Sequence, residues 1–284
     1  MKIFQAAIEE MAREGAALYG PKSFQGYLRE NRLPNVNTWQ YVSVDSIDRL
    51  DSGLRDAQTM VFRLGSAGGT RETAFGLARL PTGNWSDYFL LDEEGLAGVR
   101  PQLYLPDVPS RDLFPFQLLP KLTETSLVNL AFATGLLHRA LGLDDTGRGA
   151  VPATGQSTFT FLVRPWGDMQ EVWTHQRGQV EIDAVFVARR KGTETLFLVE
   201  AKSGLPQGSL AKHKLGYPFA ALRGAVPAYM QIVPVYMKSW AEPHERHFLI
   251  SECSIPAEEG LVVSDLHVQD VGHWVLRGFG GVSS

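Results

Sequence analysis

Residues 179–204 read QVEIDAVFVARRKGTETLFLVEAKSG. Two apolar runs, 179–187 and 195–201, lie either side of the basic stretch 189–191. Both are rich in β-branched and aromatic residues, which predicts a pair of strands joined by a polar turn. Strand side chains alternate faces, so Glu181 and Asp183 are expected to share one face. Glu200 and Lys202 are expected to share one face of the next strand. Val180, Ile182 and Ala184, with Phe197, Val199 and Ala201, are expected on the opposite faces.

These charges interrupt strands that are otherwise apolar. Burying a lone carboxylate costs several kcal/mol unless it is paired or binds a metal. Two carboxylates converging on one point also raise at least one pKa. A hard divalent cation resolves that conflict, and oxygen ligands suit Mg²⁺, with Mn²⁺ as a substitute. Lys202, two residues beyond Glu200, can hold a phosphate or orient and help deprotonate an attacking water. A metal-bound water would have a lowered pKa. These are the parts needed for phosphodiester hydrolysis.

Asp183, sixteen intervening residues and then Glu200-Ala201-Lys202 resemble the PD-(D/E)XK nuclease superfamily. The resemblance covers roughly residues 119–240 and includes an α-β-β-β-α-β order. It implies that Asp183 and Glu200 ligate the metal and that Lys202 serves water and phosphate. It departs from the family pattern at Ile182, where proline is usual; Glu181-Ile182-Asp183 reads as a variant, with Glu181 a further candidate acid. Many members carry another acid on the first helix, and Glu124 is the candidate here. The implied activity is a Mg²⁺-dependent DNA endonuclease, most simply a type II restriction enzyme. A structure-specific resolvase or repair nuclease, and a non-catalytic DNA-binding protein on a nuclease-like fold, are the alternatives. Double-strand cutting implies a homodimer. A DNA methyltransferase encoded nearby is the partner that restriction implies.

Around this motif the chain divides in two. Residues 116–284 are expected to form the catalytic α/β (α+β) domain, a restriction-endonuclease-like core with a central mixed sheet flanked by helices. The expected elements are a helix at 121–141, strands at 158–163, 179–187 and 195–201, and a helix at 209–223. A strand at 231–237 is expected at a sheet edge because of Pro234. Shorter strands are expected at 248–254 and 261–268. Residues 1–115 are expected to be an accessory domain rich in helices and strands. Helices are read near its start, at 23–31 and at 44–55; strands are read at 59–64, 73–80 and 87–91. Arg63, Arg71, Arg79, Trp85 and Tyr88 lie in this part. It reads either as a DNA target-recognition module, with Arg63 and Arg71 as DNA contacts, or as a structural subdomain. Pro101, Pro106, Pro109, Pro115 and Pro120 mark an extended linker between the parts.

The whole chain carries a net charge of −4, yet residues 177–238 hold nine Lys/Arg against four Asp/Glu, a local +5. That asymmetry is the footprint of a polyanionic partner. Lys212 and Lys214, in the helix after the motif, are candidate phosphate contacts; the alternative is a solvated basic face with Tyr217 in the core. Cys253 is the single cysteine, which excludes an internal disulfide and a cysteine zinc cluster and suits a reducing cytoplasm. The first residues read as an amphipathic helix, not a signal-peptide apolar block. The longest apolar stretch, 127–137, is shorter than the roughly 20 residues a bilayer span needs. Residues 65–70 lack the Gly-Lys-Ser/Thr of a P-loop and read as a hairpin loop. No Gly-x-Ser-x-Gly elbow is present. His244-x-x-His247 reads as a loop rather than a site.

Overall fold

The computed structural model describes residues 2–119, 121–144, 152–167, 171–256 and 259–279; Pro120 lies outside them. In chain order the helices are α1 (Gln5–Glu14), α2 (Phe24–Glu30), α3 (Thr38–Val42), α4 (Ser52–Asp56), α5 (Asp92–Leu96), α6 (Ser110–Leu118), α7 (Glu124–Ala133), α8 (Leu136–Leu141) and α9 (His213–Leu222). The strands are β1 (Leu18–Ser23), β2 (Thr59–Ser66), β3 (Thr73–Arg79), β4 (Phe89–Leu91), β5 (Gln102–Tyr104), β6 (Ala153–Arg164), β7 (Trp173–Arg190), β8 (Thr193–Ser203), β9 (Ser209–Ala211), β10 (Gln231–Glu242), β11 (Glu245–Ser254), β12 (Leu261–Val262) and β13 (His267–Arg277).

The opening stretch forms an antiparallel hairpin, β7 against β8. Lys191 and Gly192 link the strands, with φ of 52° and 79°. Positive φ at both turn residues gives the twist that a two-residue hairpin needs. Asp144 accepts hydrogen bonds from both turn amides, at 2.8 and 2.6 Å.

The fold is α+β, with one large mixed sheet flanked by helices. Its order among the described strands is β1-β3-β2-β7-β8-β10-β11-β13-β5, with β6 pairing β7 and β12 pairing β6. Strand β8 lies at the centre and is buried on both faces, as a parallel neighbour requires. Phe197, Val199 and Ala201 pack with Leu127, Leu130 and Leu137 of α7 and α8. Leu196 and Leu198 pack with Phe219 of α9 on the other face. Helix α9 is the crossover between β8 and its parallel neighbour β10.

Several expectations change. Pro234 does not mark an edge: β10 lies between β8 and β11. Pairing with β11 starts only at Val235, so Pro234 stands where one flank is still open and its missing N–H costs little. The helix expected at 121–141 is broken in two. Gly135 has φ of 76°, which ends α7 in a left-handed residue. Residues 209–211, expected as helix, are strand β9 paired with β4. Residues 44–55 hold only a 3₁₀ turn and short α4. The proline-rich stretch is not simply a linker: it contains β5, paired with β13, and α6, whose Leu113 is buried against α7 and α8. Strand β13 was not foreseen beyond residue 268. Residues 261–268 also divide between β12 and β13 instead of forming one strand.

The alternation expected along β7 is also interrupted. Between Gly155 and Ala153 of β6, β7 runs from Ile182 to Val185, one residue more than its partner. This β-bulge reverses the facing of the residues beyond it. Ile182 and Val185 pack toward α9, whereas Ala184 and Phe186 pack toward α7.

The N-terminal strands join the same sheet through one bridge, Gly65 to Gln176. A Cβ at Gly65 would come within 2.2 Å of the Gln176 carbonyl oxygen, so that approach requires glycine. Phe62, Phe75 and Leu64 share one buried cluster with Trp173, Val180 and Tyr217. The expected 115/116 boundary falls inside α6.

Candidate functional site

Bulged β7, β8, the start of α7 and the start of α9 bring five charged side chains together. The Lys202 Nζ lies 3.0 Å from Glu200 Oε1 and 3.5 Å from Glu124 Oε2. The Lys214 Nζ lies 3.9 Å from Glu200 Oε1. The backbone amide of Ala201 donates to Asp183 Oδ2 at 2.9 Å, tying the two strands at the acids. Ser203 N donates to Glu124 Oε1 at 3.3 Å. Glu124 is the first residue of α7, held there because Thr123 caps the helix by accepting from Ser126 N. An acid in that first turn also suits the helix dipole.

Glu200 is 5 % exposed at its side chain, against 19 % for Lys202 and 36 % for Glu124. Burial pushes the Glu200 carboxyl up to about 7; Lys214 and Lys202 oppose the rise and Asp183 adds to it. For Lys202, burial works against the charged form, but Glu200, Glu124 and Asp183 outweigh it and raise the ammonium above its usual range. The cluster therefore holds three carboxylates against two ammonium groups, and burial of Glu200 outweighs the two ammonium groups beside it. Asp183, Glu200 and Glu124 offer oxygen donors of the kind a hard divalent cation takes, but among the described residues their oxygens do not form a close three-ligand group.

Lys202, Lys214 and Glu124 line a cleft of about 320 Å³. Its other walls include Trp39, Arg49 and Arg63 from the N-terminal part and Glu181 from β7. Glu181 is exposed and accepts from Gln179 Nε2 at 3.2 Å, beside the charge cluster but not in it. Arg63 lines the cleft; exposed Arg71 lies on the loop between β2 and β3 and is not among its lining residues. Lys212 must be corrected as a phosphate contact. It is 5 % exposed and donates to the Ser264 carbonyl at 3.0 Å, and burial lowers its pKa. Its neighbour Lys214 is the one in the cleft.

Two histidines also stand in the cleft wall, His213 beside Lys214 on the helix after the motif and His175, which the sequence reading missed. His175 stacks on Phe161 at 4.5 Å and burial holds its pKa down to about 4. His213 is pushed down to about 3, by burial and then by Lys214 and His175. Both rings are neutral at neutral pH, so the cleft's positive charge comes from lysine and arginine. Alternation along β7 could have flagged His175.

A second buried polar group lies further along the same sheet face. Asp92, at the start of α5, accepts from Tyr236 Oη at 2.9 Å and pairs with Lys238 Nζ at 3.1 Å. Tyr236 and Lys238 are the register partners of Glu200 and Lys202.

Residues 113–253 are similar to a family described only as a domain of unknown function (DUF6997). No curated protein matches the chain. The similar segment contains Glu124, Asp183, Glu200, Lys202 and Lys214, while Arg63 lies outside it. Among the described residues, no helix is long and apolar enough to cross a membrane.

Proposed function

We propose that the chain is a Mg²⁺-dependent DNA endonuclease of the PD-(D/E)XK type, with a type II restriction enzyme as the simplest form. The carrying observation is the meeting of Asp183, Glu200 and Lys202 on neighbouring strands, with Lys202 lining a cleft that Lys214 and Arg63 also line and that Asp183 and Glu200 do not. The succession α7, β6, β7, β8, α9, β10 supports a restriction-endonuclease-like core. In it β6, β7 and β8 are antiparallel in turn and β10 is parallel to β8.

Asp183 and Glu200 would hold the cation, with Glu124 as a further oxygen donor. Bound there, the cation supplies a more acidic water and offsets charge on the phosphate. Lys202, kept protonated by three acids, donates hydrogen bonds to the scissile phosphate or to the attacking water. Lys214 and Arg63 hold the flanking backbone phosphates without reading sequence. The N-terminal wall of the cleft is a candidate for target recognition, and two chains acting as a homodimer would cut both strands.

Purified full-length chain is expected to nick or cut plasmid DNA with Mg²⁺ or Mn²⁺ and not in chelator. Lys202→Ala and Asp183→Ala are each expected to lower the cleavage rate by about 100-fold or more. Undiminished cutting by both variants sinks the proposal. Discrete bands favour restriction; preference for branched substrates favours a resolvase-like enzyme.

A further inference from the structure

At the far end of β10 the chain turns through Pro243 and His244 into β11, with Glu242 opposite Glu245 and Trp240 opposite His247. Cross-strand pairing with period-2 alternation sets Glu242, Glu245 and His247 on one face of this hairpin. Their ligand atoms all lie within 4.8 Å of one another. The His247 Nε2 is 3.6 Å from Glu242 Oε2 and 3.7 Å from Glu245 Oε2.

Two acids beside one another do not make a site. The deciding feature is His247. Its side chain is only 9 % exposed, and among the described residues its buried Nε2 has no hydrogen-bond partner. A buried ring nitrogen left unpaired costs free energy unless something outside the chain satisfies it. Here it is aimed between two carboxylate oxygens, each just beyond hydrogen-bonding distance.

The three groups are also held from behind. Trp240 Nε1 donates to Glu242 Oε1 at 3.2 Å. Arg277 Nε pairs with Glu245 Oε1 at 3.3 Å. His247 Nδ1 meets His273 Nε2 at 3.0 Å, and the ring stacks on Trp240 at 5.0 Å. Each carboxylate therefore has one oxygen occupied and presents the other. The imidazole has Nδ1 occupied and presents Nε2. Outer partners of this kind orient metal ligands and fix the histidine tautomer.

We propose that Glu242, Glu245 and His247 bind a borderline divalent transition-metal ion, of which Zn²⁺ is the probe of choice. Tetrahedral coordination at 2.0–2.2 Å puts ligand atoms about 3.4 Å apart, close to the 3.6 and 3.7 Å separations here. An imidazole nitrogen in the set favours such an ion over Mg²⁺. Water completes the coordination, since Glu242 is 53 % exposed. The ion ties the tip of the β10–β11 hairpin to β13 through His273 and Arg277. This site lies outside the Asp183 cluster and does not depend on the nuclease reading.

The test uses full-length, tag-free chain titrated with Zn²⁺ by calorimetry and with Co²⁺ by visible absorption. In the Asp183→Ala chain, which lacks the other proposed cation site, one ion per chain is expected, with a Co²⁺ ligand-field band and a raised thermal midpoint in Zn²⁺. Exposed Glu242→Gln is expected to weaken Zn²⁺ binding at least about 10-fold, and His247→Ala to abolish the Co²⁺ band. His273→Ala, which removes only the partner of Nδ1, should weaken binding by about 10- to 100-fold. Asp183→Ala should leave all of this intact. No stoichiometric ion, or binding unchanged in Glu242→Gln and His247→Ala, overturns the proposal and leaves a plain histidine–carboxylate contact.

Discussion

Two buried charge groups share one face of the central sheet and differ in balance. In the first, Asp92 has one cation, Lys238, and one neutral donor, Tyr236. Side-chain exposure is 0 % for Asp92 and 9 % for Lys238, and the charges cancel. In the second, Asp183, Glu200 and Glu124 outnumber Lys202 and Lys214 beside a cleft. A balanced pair is how a fold tolerates burial of charge, even though Asp92 and Tyr236 line a cavity of their own. An unbalanced cluster reached by solvent pays in stability for something else, which is the usual mark of a functional site. The difference between them predicts opposite responses to mutation.

The largest effect on stability is expected at the balanced pair. Asp92→Ala strands Lys238 in the interior and should cost about 3–5 kcal/mol in urea unfolding, while any folded protein keeps Mg²⁺-dependent cutting. Replacing both charges, Asp92→Leu with Lys238→Met, should recover most of that loss. If the single variant is as stable as the parent, the pair is not the structural element described.

The unbalanced cluster should behave in the reverse way. The folded pKa of Glu200, about 7, lies above the 4.5 of an unperturbed glutamate. Between those values the folded chain binds more protons than the unfolded one, so stability falls as pH rises through that window. Without divalent metal, the loss is about 3 kcal/mol when complete. Glu200→Gln should abolish cutting yet be the more stable protein at pH 8, and Mg²⁺ should flatten the parent's slope. A parent whose stability is level from pH 4.5 to 7 in chelator contradicts this.

The smallest effect is expected at the rim. Lys214→Ala should weaken DNA binding modestly, lower the salt slope of binding by about 1 and raise the Glu200 midpoint further. Lys212→Ala should leave the salt slope unchanged, because that ammonium is enclosed against Ser264.

The core of the site was legible because it lies on contiguous strands. Apolar alternation identified β8 and placed Glu200 and Lys202 on one of its faces, and the hairpin turn fixed β7 as its neighbour. Other features were opaque for identifiable reasons. Pro234 suggested an edge because local rules cannot see that pairing on one flank of this central strand starts only at Val235. Lys212 and Lys214 look alike in sequence, yet β9 pairing with β4 turns one inward and leaves the other in the cleft. The Glu242, Glu245 and His247 spacing was visible, but Pro243 and His244 made the stretch read as loop. In the fold they are only the two turn residues between long strands.

The sequence by itself determined the strand pair of the central hairpin, the charge pattern on β8 and the chemical types present, since backbone geometry sets a two-residue period without outside help. Tertiary structure decided which charges meet. The cap that sets Glu124 against Lys202, the bulge in β7 and the 144-residue separation between Asp92 and Tyr236 all depend on sheet order and helix packing. Such contacts form only when distant segments bury their apolar faces together, and no local period records that.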